Sequence, residues 1–297
     1  MRSRIFYAAK VNIHGNILSP NLRELIEVHI PRVILNPNRS VRLKSWNWSF
    51  TDTKQIPYQD KQLIIGNVTK SRHMKQKYKI GSVTQEQQTE HELAKTAFFV
   101  YDPVLEILAH ESNAEISAAD FRYLFTTLLS SDMYVGEVRV LPIPIPHKIR
   151  DEIRSIQIVT SLKFNLIHPN PGKEEFNIYN DLIDDANLKE LDISMTNKDG
   201  IKVIGHSTGT TTEFTRTVEN GITLVEKGYG EIRVSGFDKF TRPGKRGKMI
   251  TDTKPRKFSS SNEVRRIRVS ELTLNGVLSK LYTFIGEVKN KVKGGQD

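Results

Sequence analysis

The sequence contains no cysteine. Disulfide staples, a thiol nucleophile, thiolate zinc sites and iron–sulfur clusters are therefore excluded. Long apolar runs are missing too. A membrane helix needs about 18–20 consecutive apolar residues, and the best stretch, KTAFFVYDPVLEILAH, is broken by Asp102, Pro103 and Glu106. Near the N-terminus the apolar run Ile5–Ala9 ends at Lys10, too short for the core of a signal peptide. These absences lead to the expectation of a soluble, cytoplasmic chain.

Catalytic constellations are equally thin. The segment Gly205-His206-Ser207-Thr208-Gly209 matches the G-x-S-x-G spacing of a nucleophile elbow, and IKVI before it resembles the strand such an elbow follows. Hydrolase order then requires a histidine after the serine. The eight histidines stand at 14, 29, 73, 91, 110, 147, 168 and 206, all before Ser207. The segment is better read as a Gly/Ser/Thr turn. No Lys-Ser/Thr follows the glycines at 200, 205 and 209, so there is no phosphate loop of Walker type. His91-Glu92 lacks a second histidine one helical turn on. Asp252-x-Lys254 is half of a nuclease-type motif, but its setting among Pro and Gly is wrong for a core strand. Asp181, Asp184 and Asp185 read as a solvated face. The expectation is no catalytic residue, no metal, no cofactor and no small-molecule substrate.

What the chain does have is positive charge in blocks. Its 297 residues carry 44 Lys and Arg against 34 Asp and Glu, a formal +10. Residues 239–268 hold eleven basic residues: Lys239, Arg242, Lys245, Arg246, Lys248, Lys254, Arg256, Lys257, Arg265, Arg266 and Arg268. Against them stand only Asp252 and Glu263, so this window alone nets +9. A second run, 61–79, holds Lys61, Lys70, Arg72, Lys75, Lys77 and Lys79 with no acid. Residues 174–192 are acidic, with seven Asp and Glu against Lys189. Such asymmetry marks a directed electrostatic surface. The 239–268 window also holds Pro243, Gly244, Gly247, Pro255 and three consecutive serines, so it reads as a mobile basic loop. Two phenylalanines, 240 and 258, are interleaved. A phosphate-binding arm is the functional reading; a solvated loop without a partner is the alternative.

Periodicity divides the rest. Strands are expected at 4–13, 42–50, 62–68, 97–103 and 104–110, helices over 21–34 and after the capping Ser117, and an irregular connection over 70–92. EVRVLPIPIP (137–146) leaves as a strand ending in a stiff proline linker, which places a domain boundary there. Beyond it a strand over 153–167, a helix over 173–187, a strand in LKELDISMTN, a weak helix over 211–218 and two strands in GITLVEKGYGEIRVSGF suggest a ferredoxin-like α+β unit. An amphipathic helix over 269–292 closes the chain. The expected fold class is α+β. An N-terminal α+β domain covers 1–146, a ferredoxin-like middle domain 150–238 and the basic loop 239–268. The C-terminal helix, 269–297, packs on the first domain.

The opening strand FYAAKVNIHGN, the AFFVYDPVLEILAHES hairpin with its capped DFRYLFTTLL helix, the EVRVLPIPIP exit and the final amphipathic helix together resemble the RexA-like phage-exclusion proteins. That resemblance is one of architecture across most of the chain. It implies a cytoplasmic homodimer that binds double-stranded DNA with little sequence preference, a role in abortive infection and anti-phage defence, a globular domain built from both termini with a smaller mobile middle domain, and a membrane effector as partner. The phosphate contacts expected from the charge pattern are Arg242, Lys245, Arg246, Lys248, Lys254, Arg256, Lys257, Arg265 and Arg266. A second surface is expected from Lys70, Arg72, Lys75, Lys77 and Lys79. An RNA-binding module, for which stacking aromatics on the middle strands are sparse, a metal-dependent nuclease and a membrane-surface role remain the competing expectations.

Overall fold

The alternating N-terminal stretch forms β1 (Arg4–Gly15), the strand from which the larger sheet grows. The computed structural model describes residues 3–36, 39–59, 61–169, 174–183, 188–208, 211–243 and 248–293. Strands take 49% and helices 27%, a strand-rich mixed α/β protein with a curled, half-barrel sheet. Two compact units are distinguished: Met1–Val140 with Arg266–Lys289, and Leu141–Arg265 with the last residues from Asn290.

In the first unit, α1 (Leu22–Glu24) and α2 (Ile30–Ile34) flank a π-helical turn, Leu25–His29. Pro31 has no N–H to give to the carbonyl one α-turn back, and the wide turn falls immediately before it. The strands β2 (Ser40–Leu43), β3 (Trp46–Tyr58), β4 (Lys61–Arg72), β7 (Leu93–Asp102), β8 (Ile107–Ser112), β9 (Glu137–Pro142) and β16 (Arg266–Val269) complete an eight-stranded sheet with β1. Its order is β16-β1-β8-β7-β4-β3-β2, with β9 also pairing β1.

Both faces of this sheet are buried. One carries Ala9, Val11, Ile64, Val68, Ala97, Phe99, Tyr101 and Leu108, under α3 (Ala118–Ser130). Ser117 caps that helix by accepting from Asp120 N, and its apolar positions 121, 124, 125, 128 and 129 fall on one stripe. The other face carries Phe6, Ala8, Leu63, Ile65, Val100 and Ala109. Here α7 (Leu274–Lys293) docks, with Tyr282 against Tyr58 at 5.1 Å between ring centres. The stretch 70–92 is not irregular. After β4 it forms a separate hairpin, β5 (Lys75–Ile80) with β6 (Val83–Gln88), turning at Gly81. Polar residues on both of its faces leave no hydrophobic alternation to read.

The second unit is built on a four-stranded antiparallel sheet in the order β11-β10-β14-β15. Its strands are β10 (Ile158–Ile167), β11 (Glu190–Thr196), β14 (Gly230–Pro243) and β15 (Met249–Ser259). Three helices, α4 (Lys148–Ser155), α5 (Glu174–Ile183) and α6 (Arg216–Glu226), bury Ile149, Ile153, Tyr179, Val218, Ile222 and Val225 with Leu162, Phe164, Leu166, Ile232 and Val234 of the sheet. A short hairpin pairs β12 (Ile204–Thr208) with β13 (Thr211–Phe214).

Several sequence expectations are corrected here. A split βαβ of ferredoxin type would place a strand between β10 and β11, yet these two are direct antiparallel neighbours. Residues 153–155, expected to open the strand, instead close α4, since Ile149 and Ile153 lie one turn apart on the buried side. Residues 221–226 belong to α6. Val218, Ile222 and Val225 recur at helical spacing, and packing on Phe164 outweighs their β preference. The 239–268 window is not a loop: its described part continues β14, forms β15 and a short 3₁₀ turn, and ends in β16.

Candidate nucleic-acid interface

Side-chain alternation along β10, β14 and β15 sends one set of residues into the core and the other into solvent. The solvent set is uncovered. Lys163 on β10 stands directly opposite Arg233 on β14. Arg233 faces Ser259 of β15, and Lys257 lies diagonally beside it, opposite Ser235. Lys239 continues the same face along β14. All four cations are exposed. Around them are Ser161, Ser194, Ser235, Thr241, Thr251 and Thr253. The acids of this face sit to one side: Glu231 lies opposite Asn165, whose amide donates to Asp192 at 2.6 Å.

Two like charges directly opposed across a ladder destabilise a sheet. Edge strands use lysines to deter stray pairing, which accounts for the charge on β15, the outer strand. It does not account for Lys163 and Arg233, which lie on the two central strands. Charge spacing along 239–268 could not reveal this pair, because neither residue lies in a basic run. The signal was the exposed odd position in each strand, next to buried Leu162, Phe164, Ile232 and Val234.

The structure separates the residues expected from sequence. Lys254 and Lys257 on β15 and Lys248 just before it are exposed. Arg242 is exposed but ion-paired to Asp252 at 3.0 Å. Lys245 and Arg246 lie outside the described residues. Arg256 serves the fold: its guanidinium donates to Asp238 at 2.8 Å and to Ser155 Oγ at 3.0 Å, and lies 3.6 Å from Glu152. The Gln157 N–H and then Arg256 hold the Asp238 carboxyl below the usual carboxylate range. Arg265 is buried, with its N–H on the Ile143 carbonyl at 2.9 Å, so it faces the interior rather than a phosphate. Arg266 is exposed on β16, in the other unit, and reaches Tyr7 Oη at 3.4 Å.

The second expected surface also divides. Lys70 donates to the Glu115 carbonyl at 2.6 Å and lies over Trp46 and Trp48, while Arg72 stacks over Trp46 at 4.2 Å. These two are held in a cation–π cluster. Lys75, Lys77 and Lys79 fall on one face of the exposed β5/β6 hairpin, with Glu86 3.2 Å from Lys75.

Ile204–Thr208 is a strand, and Ser207 lies opposite Thr212 inside its ladder, so the G-x-S-x-G segment has neither the turn nor the following helix of a nucleophile elbow. Asp252 lies opposite Phe240 on the outer part of the β14/β15 hairpin. Among the described residues no group of three or more His, Asp or Glu is placed to hold a metal ion.

A family model described as a domain of unknown function (DUF4747) matches residues 4–271. The chain belongs to the DUF4747 family. The match takes in all of the larger sheet and the whole basic sheet face, stopping just before α7. A comparison with curated proteins found no match.

Proposed function

We propose that this DUF4747 chain is a non-enzymatic protein that binds double-stranded DNA with little sequence preference. The contacts are made by the uncovered face of the β11-β10-β14-β15 sheet. The observation that carries the reading is the juxtaposition of Lys163, Arg233 and Lys257, with Lys239 beyond them, on a face whose other side chains are mostly small and polar. Phosphates neutralise such a cluster and return the energy lost to cross-strand repulsion. Serine, threonine and asparagine around it are suitable phosphate and sugar donors that carry no base information. The architectural resemblance to RexA-like proteins supports a place in anti-phage defence, as a homodimer in the cytoplasm working with a membrane effector.

The sheet, open on one face and helix-covered on the other, also favours a second reading, single-stranded RNA. Base stacking needs exposed aromatics on the central strands. Phe237, opposite Ile158 at the margin, is half-buried, so duplex is preferred. Titrating duplex DNA and single-stranded RNA at several salt concentrations tests both. Four neutralised phosphates give a slope of log affinity against log salt of about −3.6. The combined variant Lys163→Glu, Arg233→Glu, Lys257→Glu is expected to abolish binding to every duplex sequence alike. Salt-insensitive binding, or tighter binding to RNA, defeats the duplex reading. Plasmid cleavage in Mg²⁺ or Mn²⁺ that is lost in Asp252→Ala defeats the non-enzymatic one.

A further inference from the structure

The first unit contains a small cationic pocket that the sheet-face interface does not use. Its volume is about 170 Å³, and it is lined by His29, Arg32, Val33, Asn36, Arg39, Asp132 and Tyr134. We infer that this pocket binds the phosphate group of a small phosphate compound.

The sequence spacing builds one wall. His29, Arg32 and Val33 stand at i, i+3 and i+4 on the helical segment, and Asn36 follows just past its end; all four line the pocket. Val33 is buried at the floor, and Arg32 is exposed. The opposite wall comes from the turn after α3. Asp132 accepts from Tyr134 N at 2.7 Å and from Val135 N at 3.2 Å, which fixes that turn and brings Tyr134 to the pocket. The Tyr134 ring lies 6.1 Å from that of His29. Asp132 is 7% exposed and also takes one end of the Arg39 guanidinium. It is therefore spent on holding Arg39 in place. A single carboxylate uses only part of an arginine's five N–H donors.

The charge balance favours an anion. Arg32 and Arg39 face one lining acid, Asp132, and the next carboxylate, Glu24, lies 3.8 Å from His29. Arg32 on the helical segment and Arg39, held by Asp132, line the pocket from two different elements. That suits the tetrahedral oxygens of a phosphate better than a planar carboxylate. The volume falls well below the roughly 300–1,000 Å³ of a site for a drug-sized ligand. The phosphate would enter and any attached nucleoside would stay at the mouth.

Calorimetric titration of the full chain with inorganic phosphate, with a nucleoside 5′-monophosphate and with the unphosphorylated nucleoside tests the assignment. Saturable one-to-one binding of either phosphate compound is expected, and the two arms tell a free phosphate from a nucleotide. Binding of neither, or equal binding of the nucleoside, overturns it. Arg32→Gln is expected to weaken binding about tenfold or more, as for loss of a hydrogen bond to a charged group, and His29→Gln by a smaller factor. Unchanged affinity in both overturns the site. Arg32 is exposed, so its replacement leaves the fold standing. Duplex affinity unchanged in Arg32→Gln, and phosphate affinity unchanged in Arg233→Glu, keep this pocket and the sheet-face reading separately testable.

Discussion

Lys163 illustrates what a single residue contributes. As part of a like-charge pair with Arg233 it weakens the sheet; in the proposed interface it is a phosphate contact. Lys163→Glu exchanges the repulsive pair for an attractive one, worth about 0.2–1 kcal/mol. The variant is expected to melt at a slightly higher temperature while duplex affinity falls. A thermal melt and a binding isotherm on the same preparation check this, and a variant that loses both stability and affinity argues for a structural role instead. His110 makes a different point. It is fully buried, stacked on Phe121 at 4.5 Å, and neither ring nitrogen has a well-formed hydrogen bond. Burial, then the Arg122 charge, pushes its pKa down to about 3, and the Glu111 backbone offsets this only in part. The native ring therefore stays neutral while the unfolded chain takes up a proton below about pH 6.5. Stability is full above that pH and falls as pH drops toward 3. Between pH 7 and pH 5 the loss from this residue is about 2 kcal/mol. Urea unfolding at both pH values is expected to show that loss in the wild type and a smaller one in His110→Leu.

Among the elements, the β14/β15 hairpin departs furthest from its local sequence pattern. The loop expectation rested on Pro243, Gly244, Gly247 and Pro255. Pro255 is tolerated because β15 is an edge strand with one side of its ladder unpaired. Tertiary pairing with β14 decided the rest, and no local signal carries that. Elsewhere the apolar runs of β1 and β4, buried on both faces of the sheet, and the capped stripe of α3 are legible in the sequence. The candidate site is legible in the sequence as charge but not as geometry. Lys257 was visible in a basic run; Lys163 and Arg233 become neighbours only through register. The hairpin also predicts a dissociation between two adjacent residues. Arg256→Ala breaks the contacts to Asp238, Glu152 and Ser155 and is expected to lower Tm by about 2–4 °C, with duplex affinity nearly unchanged. Lys257→Glu is expected to do the reverse. Differential scanning calorimetry alongside a filter-binding assay separates them, and equal effects in both assays contradict the division of roles.

On the scale of the whole molecule, the two units are built from the chain differently. The first needs both Met1–Val140 and Arg266–Lys289, whereas the second takes a continuous span, Leu141–Arg265, for its core. That span begins and ends side by side. Arg265 donates to the Ile143 carbonyl at 2.9 Å, Ile145 donates to the Glu263 carbonyl at 2.8 Å, and Pro144 stands opposite Val264. Adjacent ends and a separate core are what a domain inserted into another requires. The core of this span runs from Ile149 to Val234 and draws on sheet and helices alike. Residues 141–265 are therefore expected to fold alone with a cooperative thermal transition, and, because Lys163, Arg233, Lys239 and Lys257 all fall within them, to keep duplex affinity within a few-fold of the full chain. Circular dichroism melts and binding isotherms of the fragment decide both. A fragment that folds cooperatively yet fails to bind would move the interface to the first unit, where Lys75, Lys77 and Lys79 of β5 form an exposed row.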